Sequence, residues 1–286
     1  MKICTLIASV LATSCIIMCI SSQLLINTHF SNHTNVSKTP KIAYATYCTN
    51  SFYEQGSRVV LYSAMKTSSR NISAILLHTH KLNLKWKFPV ITKHVIVPRK
   101  RNGYYENVLT KLLVFQLPYD RIVYIESDAI VLRSIEHLFD LPLHDLYVPH
   151  CRWCSPGYVT TTLMVVSPSQ RIWDRLSIWV NKYDQKALYD MDIINEELRE
   201  DIHHLPSVYG MLNSEFENKQ PTPFYGSTFD EILQSAFFIH FTAVGKPWTV
   251  SLDNVRFRIK NGKAQHQMLQ LYEKWHNLSR ESYAMF

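Results

Sequence analysis

The chain has 286 residues, 47% of them hydrophobic and 19% charged. That is enough apolar surface for a sizeable core, and it excludes a natively disordered chain. Only 7 glycines are present, which argues against a glycine-cradled phosphate loop and against collagen-like or linker-rich chains; no stretch repeats with the roughly 20–50-residue period of a solenoid or propeller. The net charge of +7 fits an anionic partner such as nucleic acid, a membrane surface or a phosphorylated substrate. Its one dense basic run, Arg99 to Arg101, carries no nucleic-acid-binding pattern around it and reads as a solvated loop, so nucleic acid is not an expected partner.

From Ile3 to Ile20 there is no charged residue, and apolar residues dominate through Ile26. A bilayer-spanning helix needs about 20 such residues. Lys2 precedes the segment and the next Lys or Arg is Lys38, which puts the N-terminus on the cytoplasmic side. Residues 1–26 therefore read as a type II signal-anchor, residues 27–40 as a polar stem, and residues 41–286 as one domain on the lumenal side of a Golgi or other secretory-pathway membrane. The alternative is a signal peptide cleaved near Ser21 and Ser22. Sequons at Asn32, Asn35, Asn71 and Asn277 agree with that side. Cys4, Cys15 and Cys19 lie in the apolar segment and Cys48 stands alone. Cys151 and Cys154 form a C-x-x-C with no second ligand pair for zinc, leaving a local disulfide or two buried thiols.

In the domain, Lys41–Cys48 reads as a first strand and Tyr53–Lys66 as a helix. Ser73–Thr79 and Val95–Pro98 read as further strands, and Val108–Phe115 as a helix carrying Lys111. Arg121–Ile125 is a short apolar run, the mark of a buried strand, and Thr161–Val166 is another. Arg171–Tyr183 and Tyr189–Leu198 read as helices. Strands alternating with helices predict an α/β fold with a mostly parallel sheet covered on both faces, in which ligands bind beyond the carboxyl ends of the strands.

Glu126 and Asp128 sit one residue apart where the strand Arg121–Ile125 ends. Alternation places both on one side of that strand, and such a pair can hold a hard divalent cation through oxygen ligands; the bland reading is a turn or helix cap. The run Arg121–Phe139 resembles glycosyltransferase family 8, the glycogenin-like enzymes, in which a strand delivers a D-x-D motif; here Glu126 replaces the first Asp. A second block, His240 to Trp248, is similar to the family's H-x-x-G-x-x-K-P-W, with the glycine two places later, at Gly245. A core histidine among Phe237, Phe238 and Phe241 is the structural alternative for His240. Smaller matches are Thr46 to Tyr53, Lys111, the segment of Asp190 with Met191 replacing a Gln, and Leu205 to Tyr209. Where the family usually has F-N-A-G or F-N-S-G, this chain has Val159 to Thr162, with Thr160 in place of the sugar-contacting Asn.

The resemblance covers roughly residues 41–250 and implies a GT-A (Rossmann-like) domain. It implies Mn²⁺ held by Asp128, His240 and Glu126, Lys246 on the donor diphosphate, and Thr46, Tyr53, Lys111, Ser127 and Gly245 along the nucleotide sugar. Asp190 would face the sugar and reaction centre. The implied activity is a retaining transfer of a hexosyl or glucuronosyl unit from a UDP-sugar to a glycan, lipid or protein acceptor. The alternative, motivated by Val159–Thr162, is a catalytically inactive relative that binds glycans or partners.

Overall fold

The structure is a computed structural model, and it describes residues 39–79, 86, 90–94, 108–181 and 188–284. The apolar segment 1–26, nearly all of the stem, the basic run 99–101 and the strand expected at Val95–Pro98 lie outside the described residues. Among the described residues no helix is long and apolar enough to cross a membrane.

Among the described residues, nine strands form two sheets. In chain order they are β1 (Ile42–Cys48), β2 (Ser73–His78), β3 (Ile91–His94), β4 (Arg121–Ile125), β5 (Ala129–Val131), β6 (Leu146–Pro149), β7 (Leu163–Val166), β8 (Ile202–Leu205) and β9 (Phe238–His240). Six α-helices accompany them among the described residues: α1 (Glu54–Lys66), α2 (Gln170–Asn181), α3 (Asp190–Glu197), α4 (Phe229–Ser235), α5 (Leu252–Lys260) and α6 (His266–Ala284). The main sheet runs β3-β2-β1-β4-β7-β6-β8. Strands β1 to β4 are mutually parallel. Strand β7 is antiparallel to both its neighbours, and β8 is parallel to β6. The expected mostly parallel α/β sheet is present, with one reversed strand beside β4.

Alternation along the central strands builds two cores. Tyr44, Leu76, Val123 and Ile125 face α1 and α6. Ala43, Ile75, Ile122 and Tyr124 face α2, α3 and the segment Val108–Gln116. Strand β4, RIVYI, is buried along its whole length, which is why it reads as a continuous apolar run. The helix expected at Val108–Phe115 is present as a 3-10 helix over Val108–Gln116. Every side chain from Leu109 to Phe115 is buried, Lys111 included, so the segment has no solvent-facing stripe of the kind an amphipathic α-helix shows.

The second sheet pairs β5 with β9, in the register Ala129↔His240, Ile130↔Ile239 and Val131↔Phe238. All six side chains except that of His240 are fully or almost fully buried, so apolar burial holds the ribbon together. Two close contacts brace this region. A Cβ at Gly56 of α1 would lie 2.5 Å from the Ser127 carbonyl and 2.5 Å from the Trp248 ring, so only glycine lets the helix approach this closely. Arg58, also on α1 and 1% exposed, donates to the Ser279 carbonyl and to Ser282 of α6, and its guanidinium stacks over Tyr283 at 3.3 Å.

Candidate active site

Glu126, Ser127 and Asp128 follow β4 directly, at the carboxyl end of the sheet, where a doubly covered α/β fold places its ligands. The Glu126 amide donates to the Thr162 carbonyl at 2.9 Å, and the chain then turns into β5. Because of that turn the two carboxylates part company. Both are buried, but each joins its own cluster.

Asp128 accepts a hydrogen bond from Lys246 Nζ, and its other oxygen lies 2.9 Å from His240 Nε2. The pairing of Ala129 with His240 across the β5–β9 ribbon sets the second contact. A tight turn sets the first: Val244 and Gly245 both have positive φ, 67° and 124°, which brings Lys246 back onto Asp128. A Cβ at residue 245 would sit 2.8 Å from Val250, so the glycine is needed here for its backbone. Tyr272 of α6 donates to the Gly245 carbonyl at 2.6 Å and to the Ala243 carbonyl at 3.0 Å, which fixes the turn. Burial alone would raise the pKa of Asp128, but His240 and Lys246 outweigh it and hold the carboxyl well below the usual range.

Glu126 binds Lys111 Nζ and accepts from Tyr124 at 3.2 Å. Lys111 also pairs with Asp190 at 2.7 Å, and the Thr161 hydroxyl donates to Asp190 at 2.7 Å. Burial acts to lower the pKa of Lys111, yet Asp190 and Glu126 carry it above its ordinary value. Glu126 is pushed up, first by burial and further by the charge of Asp128, against the pull of Lys111.

Both clusters open into one cavity of about 460 Å³. Tyr53, Lys111, Glu126, Ser127, Asp128, Asp190, His240 and Lys246, all singled out from the sequence, line it, as does Thr160. Two expected residues do not. Thr46 is fully buried in β1 with its hydroxyl unpartnered, and Gly245 acts through the turn. The cavity straddles the end of β4: Tyr47, Thr49 and Tyr53 line the β1 flank, while Trp153, Thr160 to Thr162, Tyr189 and Met191 line the flank of β6, β7 and α3. Tyr47, Trp153, Tyr189 and Thr242 were missed in the sequence. Trp153 alone carries a local signal, lying between the two cysteines of the C-x-x-C, which form a disulfide.

Among the described residues no group of three His, Cys, Asp or Glu side chains is arranged to hold a metal. Asp128 and His240 do meet, the carboxyl is ionised, and His240 Nδ1 is buried without a hydrogen-bond partner. A carboxylate with an imidazole suits a divalent ion such as Mn²⁺. The residues therefore fit a metal at two of the three expected positions, whereas Glu126 is committed to Lys111 and the Lys246 ammonium lies on Asp128.

No family profile matches the chain. Curated relatives include "Glucose N-acetyltransferase 1" of Aspergillus fumigatus, 28% identical over 61% of this chain and 52% of that protein, and "Glycogenin" of Neurospora crassa, 23% identical over 72% of this chain and 31% of that protein. The chain thus spans about half the length, or less, of these relatives. Among solved structures, a galactosyltransferase, LgtC, in complex with donor and acceptor sugar analogues superposes with a TM-score of 0.59 at 14% identity, covering 83% of this chain and 95% of that one. The bifunctional glycosyltransferase WbbM superposes with a TM-score of 0.55 at 15% identity, over 82% of this chain and 52% of that one. Strand order and these structural likenesses show the GT-A fold, and in sequence the chain is similar over part of its length to glycogenin.

Proposed function

We propose that the protein is a glycosyltransferase moving a hexosyl or glucuronosyl unit from a UDP-sugar, with retention, to an acceptor in the secretory pathway. The observation that carries this reading is the meeting of Asp128 with His240 and with Lys246, 118 residues further along the chain, inside one cavity at the carboxyl end of β4. Asp128 and His240 would hold a divalent ion such as Mn²⁺, which when bound supplies Lewis-acid stabilisation to a leaving diphosphate. Lys246 brings a positive charge to the same place. Tyr47 and Tyr53 offer ring faces for a base on the β1 flank. Asp190, ion-paired with Lys111 and hydrogen-bonded by Thr161, is held in place as a positioning group for sugar or acceptor. That engagement makes it a poor covalent nucleophile and favours attack by the acceptor on the donor's leaving-group face.

A panel of UDP-sugars tested for hydrolysis with and without Mn²⁺ examines this directly. Asp128→Asn is expected to abolish metal-dependent turnover with the fold unchanged by circular dichroism; full retained activity overturns the assignment. A second reading, an inactive glycan- or partner-binding relative, is favoured by Thr160 to Thr162 and by the engagement of Glu126 with Lys111. Calorimetry with UDP separates the two: absence of Mn²⁺-dependent binding favours the inactive relative. The type II lumenal orientation predicts a glycan on Asn71, which is exposed. A mobility shift on glycosidase treatment that Asn71→Gln removes checks it, and an unglycosylated Asn71 in the full chain counts against it.

A further inference from the structure

The segment joining β6 to β7 is built as a stapled hairpin. His150 and Val159 form an antiparallel bridge, the Cys151 amide donates to the Tyr158 carbonyl at 2.9 Å, and Cys151–Cys154 closes the tip with a disulfide. Three anchors fix the hairpin from outside. Asn195 of α3 exchanges hydrogen bonds with the Val159 amide and carbonyl at 2.9 and 3.0 Å. The Tyr158 hydroxyl donates to Asp192 at 3.0 Å, and Arg152 stacks over Phe224 at 3.5 Å. At the tip stands Trp153, 46% exposed, yet lining the cavity that holds Asp128, Asp190 and His240.

A large indole left half in solvent on a braced loop is costly for a core and useful for a ligand. It presents a rigid apolar face with a polar N–H at little entropic cost. Its position decides which ligand. In the sheet order β1 and β6 flank β4 and β7 on opposite sides, so Tyr47 and Tyr53 stand on one side of the charged clusters and Trp153 on the other. A donor nucleotide seated on the tyrosines with its diphosphate at Asp128, His240 and Lys246 leaves the Trp153 flank for the second substrate. We propose that Trp153 is the stacking platform for a pyranose ring of the acceptor, making it an acceptor-specificity residue presented by the Cys151–Cys154 hairpin. This assignment rests on the transferase reading of the same cavity.

The test uses the full chain labelled with 5-fluorotryptophan, the Trp153 resonance being assigned by its loss in Trp153→Phe. Titration with a set of p-nitrophenyl hexosides and glucuronides is expected to shift that resonance, and UDP alone is expected to leave it in place. In turnover assays Trp153→Ala is expected to raise the acceptor KM about tenfold, with UDP-sugar hydrolysis in the absence of acceptor unchanged and with substantial recovery in Trp153→Phe. The double variant Cys151→Ser, Cys154→Ser is expected to raise the same KM with the same hydrolysis rate. A Trp153 resonance unmoved by every saccharide overturns the proposal. So does an equal loss of hydrolysis and transfer in Trp153→Ala, which would put the indole in the donor site. If UDP does not bind and no UDP-sugar is hydrolysed, the transferase reading fails by itself, and the fluorine titration still decides whether Trp153 binds sugars.

Discussion

At the scale of single residues, the site depends on close approaches and on compensated charge. Gly56 is the clearest case. A methyl group there meets the Ser127 carbonyl and the Trp248 ring, so Gly56→Ala should cost about 1–3 kcal/mol and displace Asp128. The expected outcome is a lower urea midpoint together with weakened UDP binding. Lys111 is the second. Its side chain is 3% exposed and its ammonium pairs with Glu126 and Asp190 at once. Lys111→Met would strand two buried carboxylates and should cost about 3–5 kcal/mol, read by equilibrium unfolding. Cys48 is a bystander with a definite signature: burial pushes its thiol up to about 12. Peptide mapping after iodoacetamide treatment at pH 8 should find Cys48 unmodified in the native protein and alkylated in guanidinium, because the thiolate is the reactive form.

At the scale of elements, the β5–β9 ribbon makes the site. Its register, not its sequence proximity, puts His240 against Asp128. Ile239→Pro should remove a ladder donor and the buried side chain together, abolishing UDP binding while α1 and the main sheet persist by circular dichroism. This also explains how much of the site was legible in the sequence. Buried strands such as β4 announce themselves as unbroken apolar runs, and the blocks at Glu126–Asp128 and His240–Trp248 point to chemistry by residue type and spacing. Pairing between distant segments leaves no such mark. The division of Glu126 and Asp128 between two lysines depends on a turn after Ile125 and on Lys111 reaching in from a 3-10 helix, and neither follows from the acid-x-acid spacing. The role of Gly245 is likewise set by a turn in which Val244 shares the positive φ. Trp153 escapes notice because its importance comes from a hairpin whose anchors, Asn195 and Asp192, belong to α3.

For the whole molecule, aromatic packing sets a limit at high pH. Tyr44 and Tyr225 are pushed up to about 12, chiefly by burial, and Tyr47 and Tyr124 well above their ordinary value for the same reason and by nearby carboxylates. An unfolded tyrosine ionises near 10. Each raised group therefore contributes stability that is fully present below about pH 10 and lost as the pH climbs toward its folded value. Guanidinium midpoints should hold level through pH 9 and fall from pH 10 upward; a midpoint unchanged at pH 11 would contradict the burial of these hydroxyls.

The wide spacing of Asp128 and His240 along the chain has a consequence for biosynthesis. A polypeptide emerging from the ribosome has its first acidic motif exposed long before its histidine partner is made, and Tyr272, which steadies the Lys246 turn, arrives later still. Until His240 and Lys246 have been made Asp128 lacks both partners, and until Tyr272 follows the turn is not steadied, so on the proposed transferase reading the nascent chain does not engage nucleotide early. Stalled chains ending before Phe238 should accordingly show no retention on immobilised UDP, whereas chains that extend through α6 should be retained.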